Sequence, residues 1–130
     1  MIQTTFNNFS LSGKRIFVAG HTGMVGSAIV RLLNNRDCEI LTVSSQELDL
    51  KQSSKVDKWF DEHRPDAVFL AAAKVGGILA NSSYPVDFLI DNLSIQNSVI
   101  TNAFKYKVKK LMFLGSSCIY PRNTKQPIKE

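Results

Sequence analysis

Apolar residues fall along this chain in short unbroken runs, separated by stretches with helical spacing. Residues 15–20, Arg-Ile-Phe-Val-Ala-Gly, predict a first strand ending in glycine. Over 24–34, Val25, Ala28, Ile29, Leu32 and Leu33 recur at helical intervals. Residues 38–43, Cys-Glu-Ile-Leu-Thr-Val, predict a second strand. Ser54-Lys55-Val56-Asp57 reads as a capping box opening a short helix whose one face carries Val56, Trp59 and Phe60, with Pro65 ending it. Residues 67–72, Ala-Val-Phe-Leu-Ala-Ala, are apolar throughout, as expected of a strand covered on both faces. A glycine-containing loop follows, then a long helix that Pro85 suits at its first turn. Leu89, Leu93, Ile100, Ala103 and Phe104 mark that helix's apolar positions. Residues 110–115, Lys-Leu-Met-Phe-Leu-Gly, predict a fourth strand, and Ser116 to Glu130 read as loop.

The order β-α-β-α-β-α-β, with right-handed crossovers, predicts a parallel sheet with helices on both faces. It amounts to rather more than half of a doubly wound nucleotide-binding domain, a Rossmann-type α/β fold cut off after strand four. Residues 1–13 read as a polar N-terminal tail and 14–130 as the N-terminal part of an NAD(P)-binding domain, with no substrate domain following.

Composition narrows the function classes. At 130 residues the chain has room for one ordinary domain, and 44% hydrophobic residues suffice for a core. The net charge is +5, but the charges are scattered and no aromatics interleave with Lys and Arg, so nucleic acid is not expected. The run Lys105, Lys107, Lys109 and Lys110 has a simpler role at the negative end of a helix dipole. No apolar run approaches the ~20 residues of a membrane span, and the first ten residues lack a signal peptide's apolar core. Cys38 and Cys118 make no disulfide framework, and His21 and His63 stand alone, so a reduced, cytoplasmic chain without metal is expected.

The strongest chemical signal is Gly20-His21-Thr22-Gly23-Met24-Val25-Gly26, between the first strand and the first helix. Gly20 permits the tight turn, Gly23 lets a pyrophosphate approach the backbone, and Gly26 lets helix and strand pack closely. The helix N-terminus then offers unpaired N–H groups to phosphate. A glycine set alone is weak; with a strand before and a helix after, it points to a dinucleotide.

The spacing resembles that of the extended short-chain dehydrogenase/reductase superfamily. Together with Leu70-Ala71-Ala72-Ala73-Lys74-Val75-Gly76-Gly77-Ile78 and Phe113-Leu114-Gly115-Ser116-Ser117-Cys118-Ile119-Tyr120-Pro121, it resembles the GDP-L-fucose synthases. Those enzymes epimerise and reduce a GDP-4-keto-6-deoxy-mannose. The likeness runs from about Lys14 to Glu130, over the N-terminal part of the family's length. It implies that the cofactor lies against residues 20–26, against Ser45, Gln46, Glu47, Leu48, Asp49 and Leu50, against Ala71 and Ala72, and against Leu114, Gly115, Ser116 and Ser117. Asp49 would bond the adenine amino group, although an acid approaching a helix on the surface would look the same. Asn92 matches an asparagine of many relatives, as would a polar residue satisfied by a neighbouring loop.

The resemblance also implies two catalytic residues. Ser116 corresponds to the serine that hydrogen-bonds the substrate's C4 oxygen, and Cys118 to the cysteine implicated as acid/base in epimerisation. A hydroxyl at the carboxyl end of strand four faces the crevice where ligands sit. A thiol exchanges protons beside a ketone once its pKa is lowered. Loop chemistry and an inert buried thiol are the plainer alternatives. Cys38 reads as core.

Two departures qualify the likeness. The superfamily's Tyr-x-x-x-Lys pair is missing after Ser116. Tyr106-Lys107-Val108-Lys109-Lys110 fits in letters only, since it precedes strand four. The chain is therefore expected to be an incomplete enzyme, inactive alone. The family generally uses NADP, held by arginines, where Thr22 and Ser45 stand here; the end of strand two also lacks the acid that favours NAD. NADP is expected from the resemblance, with NAD open. A GDP-sugar substrate and a homodimer are implied for the complete enzyme. A non-catalytic dinucleotide-binding module, or a subunit of a split protein, is the competing reading.

Overall fold

A computed structural model describes residues 9–129 of the chain. Four strands, β1 (Lys14–Ala19), β2 (Cys38–Leu41), β3 (Ala67–Leu70) and β4 (Lys110–Phe113), form one sheet in the order β2-β1-β3-β4. Every pairing is parallel. The helices are α1 (Met24–Leu33), α2 (Ser53–His63), α3 (Ile78–Ser83) and α4 (Pro85–Lys105). A Rossmann-type doubly wound sheet is what the alternating pattern predicts.

Strand alternation divides the core into two layers. Ile16 and Val18 of β1 point to the α1 face, where Leu33 and Ala67 join them. Phe17 and Ala19 point to the other face, against Val56, Trp59 and Phe60 of α2 and Val99 and Ala103 of α4. Phe17 and Trp59 lie 4.2 Å apart between ring centroids, so the aromatic packing anchors α2 on the sheet. Phe9 and Leu11 pack against the α1-side cluster, and Gly13 N–H donates to Asp37 O at 2.8 Å, so packing begins before Lys14. The rest of the expected tail, residues 1–8, lies outside the described residues.

Several local expectations are corrected. The strands are shorter than their apolar runs: residues 42–43, 71–72 and 114–115 lie past the strand ends at the carboxyl edge, although Ala71 N–H and Leu114 N–H still donate to Ala19 O and Leu70 O. The capping box expected at Ser54–Asp57 does not form. Helix α2 begins one residue earlier, after Gln52, with no side-chain cap. The reciprocal serine–acid bonding closes instead around a turn at Ser44–Glu47. Glu47 Oε2 accepts the Ser44 N–H at 3.1 Å and hydroxyl at 2.7 Å, and Ser44 Oγ accepts the Glu47 N–H at 3.3 Å. The loop before α4 contains the extra helix α3, which has no apolar inner face to betray it: Ile78 and Leu79 are exposed. Asn81 Nδ2 secures it by donating to Gly76 O and Gly77 O. Ser117–Ile119 form one 3-10 turn in the segment expected to be loop.

The lysine run is held by specific partners as well as by its place at a helix end. Lys105 pairs with Asp57 on α2, and Lys109 with Asp66 at the start of β3. His63 stacks on Trp59 with ring centroids 4.2 Å apart.

Candidate functional site

The chain leaves β1 for β2 on one side and returns to β3 on the other. The carboxyl ends of β1 and β3 therefore border the crevice where doubly wound sheets take ligands. A cavity of about 730 Å³ opens there. Its walls are the turn after β1, the segment after β2 from Val43 to Lys51, the Ala71–Lys74 stretch after β3, and Asp91 and Ile95 of α4.

Backbone sterics explain the glycines. Gly20 sits at φ +86°, and a Cβ there would lie 2.7 Å from Ala72 N. A Cβ on Gly26 would lie 2.0 Å from Gly20 O, so α1 can seat on the turn only without a side chain at this position. Gly23 differs. Its φ is −71°, and a Cβ would meet only Gly20 O at an ordinary 3.4 Å. Gly23 lines the cavity, so its bare backbone leaves room for a ligand rather than for a fold contact. The first intrahelical bond of α1 runs from Ser27 N–H to Gly23 O, and the first turn carries no acid and no side-chain cap. The N–H groups of Met24, Val25 and Gly26 thus lie ahead of the helix's own bonding. That arrangement can hold a phosphate group.

Beyond the turn, Ala71 and Ala72 bring small side chains to the wall, with Ala71 N–H bonded to Ala19 O at 2.9 Å. Asp49 lines the cavity while its Oδ1 accepts the Lys51 N–H at 3.0 Å, so it both faces the cavity and braces the approach to α2. Lys74 is fixed twice. Its backbone is bonded by Asn92, and its ammonium lies 2.8 Å from Asp91 Oδ2 and 5.3 Å from the centre of the Phe88 ring. Lys51 reaches the other Asp91 oxygen at 3.4 Å. The bond from Lys74, helped by Lys51, holds the Asp91 carboxyl below its ordinary range, and Asp91 in turn raises Lys74. Ser44 does the same to Glu47, with a smaller contribution from His21.

Of the residues singled out from sequence, Gly20, His21, Thr22, Gly23, Ser45, Gln46, Leu48, Asp49, Leu50, Ala71 and Ala72 share this wall. Met24, Val25 and Gly26 do not line it; Met24 is exposed, and Gly26 packs under the turn. Glu47 folds back on Ser44. Leu114, Gly115, Ser116 and Cys118 also lie off the wall, on the segment after β4, and the side chain of Ser117 lies outside the described residues. There Leu114 N–H continues the ladder to Leu70 O at 3.2 Å, and Cys118 N–H donates to Ser116 Oγ at 3.2 Å. Ser116 and Cys118 are exposed, so Cys118 is not the inert buried thiol of the plainer alternative. Sequence reasoning missed Ser44, Lys51 and Asp91 as wall residues. A signal existed only for Ser44, in the Ser-x-x-Glu spacing to Glu47. Among the described residues no cluster could hold a metal ion, and no helix is long and apolar enough to cross a membrane.

The chain is similar to known proteins over most of its length. The chain is 53% identical over 122 residues to a GDP-L-fucose synthase of Sinorhizobium fredii, covering 94% of this chain and 39% of the relative. It is 51% identical over 121 residues to the GDP-L-fucose synthase of Escherichia coli, covering 92% and 38%. A crystal structure of a GDP-D-glycero-L-gluco-heptose synthase from Campylobacter jejuni, in the presence of NADPH, superposes with a TM-score of 0.85 at 43% identity, over 90% of this chain and 34% of the other. A GDP-L-fucose synthetase from Naegleria fowleri bound to NADP gives 0.80 at 27% identity, over 93% and 36%. The chain thus spans about two fifths of the length of the curated relatives it matches, at their N-terminal part. Residues 16–130 match the NAD dependent epimerase/dehydratase family, and the chain belongs to that family.

Proposed function

We propose that residues 14–130 form the cofactor-binding portion of a nucleotide-sugar epimerase/reductase, acting in the complete protein on GDP-4-keto-6-deoxy-D-mannose to give GDP-L-fucose. The observation that carries this reading is the Gly20–Gly23 turn, which lines the 730 Å³ cavity at the sheet's switch point and ends at the N-cap of α1. The residues fit a dinucleotide. Gly23 supplies the bare backbone, the first N–H groups of α1 face a pyrophosphate, and Asp49 and Leu50 meet the adenine. The bound nicotinamide supplies the hydride for reducing the keto carbon.

Ser116 and Cys118 are the catalytic residues of this reading. The serine hydroxyl bonds the sugar's C4 oxygen, and the thiol moves a proton at a carbon beside the ketone. The 130 residues hold no Tyr-x-x-x-Lys pair after Ser116, so on their own they bind the nucleotide without turning over the sugar. NADP is the form found with relatives. The protein works in the cytoplasm, as a homodimer that covers the exposed apolar side of α4, where Leu89, Ile90 and Leu93 follow one another.

Calorimetric titration of the chain with NADPH tests the reading. Binding that disappears in Gly23→Asp, with the circular dichroism spectrum unchanged, is the expected result. Unchanged affinity in that variant would sink the assignment of the turn. A non-catalytic binding module is the second reading, favoured by the exposure of Ser116 and Cys118 outside the cavity wall. Turnover of the keto-sugar when the C-terminal segment of a relative is supplied would exclude it.

A further inference from the structure

The residue just past the second strand of a doubly wound sheet meets the 2′ position of the adenosine ribose. There an acid accepts from a hydroxyl, or a cation holds a phosphate. In this chain the stretch after β2 is Thr42-Val43-Ser44-Ser45-Gln46, and Ser44, Ser45 and Gln46 line the cavity. Ser44 has no donor to spare. Its N–H and its hydroxyl both go to Glu47 Oε2, at 3.1 and 2.7 Å. A 2′-phosphate arriving here finds a carboxylate behind the serine, held ionised by Ser44's own hydrogen bonds.

Among the described residues that line the cavity, no unpaired lysine or arginine offsets that charge. The two lysines of the wall, Lys51 and Lys74, are both engaged by Asp91, at 3.4 and 2.8 Å. Arg15 sits near the opposite end of β2, 3.2 Å from Glu39, and Arg31 donates to Ser27 on α1.

We propose that this cavity does not select the phosphorylated cofactor: it takes NAD at least as tightly as NADP, with the Ser44–Glu47 pair setting that preference. The inference rests on the dinucleotide reading above and departs from the NADP seen with the relatives. Glu47 acts through Ser44 as a positioning residue. A ribose diol can donate to Ser44 Oγ, whereas a phosphate meets oxygen lone pairs and a nearby negative charge.

The test is calorimetric titration of the 130-residue chain with NADH and NADPH at equal ionic strength, alongside three variants. The expected wild-type result is an NADPH affinity no greater than that for NADH. Glu47→Gln keeps an oxygen for Ser44 and removes the charge. It should shift the ratio towards NADPH on the order of threefold to tenfold. Ser45→Arg supplies the absent cation and should raise NADPH affinity on the order of tenfold while leaving NADH nearly unchanged. A merely structural role for Glu47 would lower both affinities together and leave the ratio alone. Wild-type binding of NADPH tighter than that of NADH would overturn the inference while leaving the dinucleotide reading intact. Binding of neither nucleotide, or of both unchanged in Gly23→Asp, would overturn the dinucleotide reading and this inference with it.

Discussion

Asn92, in the third turn of α4, holds the backbone of Lys74 from both sides. Its Oδ1 accepts the Lys74 N–H at 2.7 Å, and its Nδ2 donates to the Lys74 carbonyl at 3.0 Å. The same amide nitrogen reaches Phe88 O at 2.9 Å. One side chain thus imitates a neighbouring strand for the segment that leaves β3, and ties the cavity wall to the long helix. Asn92→Ala leaves the Lys74 peptide groups without that partner. A loss of about 2 kcal/mol in urea unfolding is expected, together with weaker nucleotide binding, because the Ala71–Lys74 wall loosens.

The glycines of the turn should separate by function. Gly26→Ala places a Cβ 2.0 Å from Gly20 O, so α1 must lift from the turn. The variant should lose on the order of 3 kcal/mol or fail to fold. Gly23→Ala meets only an ordinary contact and should melt like the wild type, with nucleotide affinity falling at least about tenfold because its methyl occupies the phosphate's approach. Thermal melts and calorimetry on the same two proteins decide this. Equal effects of both variants on melting would refute it.

Asp66 links the starts of β1, β3 and β4. Its Oδ2 accepts the Arg15 N–H at 3.0 Å, and its Oδ1 lies 3.0 Å from Lys109 Nζ. The bond from Arg15, then that from Lys109, holds its carboxyl below the ordinary value of 3.8. The folded state therefore prefers the ionised form. The resulting stability is fully present above 3.8, the unfolded value, and is lost as pH falls through the lower folded value. Urea midpoints measured from neutral to strongly acid pH should drop in that window. Asp66→Asn should start lower at neutral pH, by about 1 kcal/mol, and show a shallower acid decline. A wild-type-like decline in that variant would show that other carboxylates govern it.

Along α4, Val86, Leu89, Ile90, Leu93, Ile100 and Phe104 are exposed, the last at 88%. So large an apolar stripe favours association. Light scattering should show mass rising with concentration. Leu89→Lys and Phe104→Lys should each shift the protein towards monomer without lowering its melting temperature, because neither side chain supports the core. A wild-type monomer at all concentrations would remove the homodimer from the proposal.

Much of this architecture was already legible as period and punctuation. The unbroken apolar run of β3, the face shared by Val56, Trp59 and Phe60, and Pro85 at the first position of α4 are local signals, and each stands where its pattern put it. So is Gly26, whose backbone demand comes from Gly20 six positions away, whereas the clash that bars a side chain at Gly20 comes from Ala72 on the segment after β3. What the chain's order could not reveal is what touches across it. Asp91 meets Lys51 and Lys74 from 40 and 17 positions away, and Asn92 meets Lys74 across 18. Two Ser-x-x-acid spacings, Ser44–Glu47 and Ser54–Asp57, read almost alike in the sequence. Only the first closes reciprocally, because the chain after Val43 turns away from the sheet there. The second begins inside a helix already started by Ser53. Periodicity sets which face of an element is apolar, since burial of that face is a local average over many side chains. The wall of the cavity depends on single contacts between distant segments, and those exist only once the sheet has brought the ends of β1, β2 and β3 to one edge.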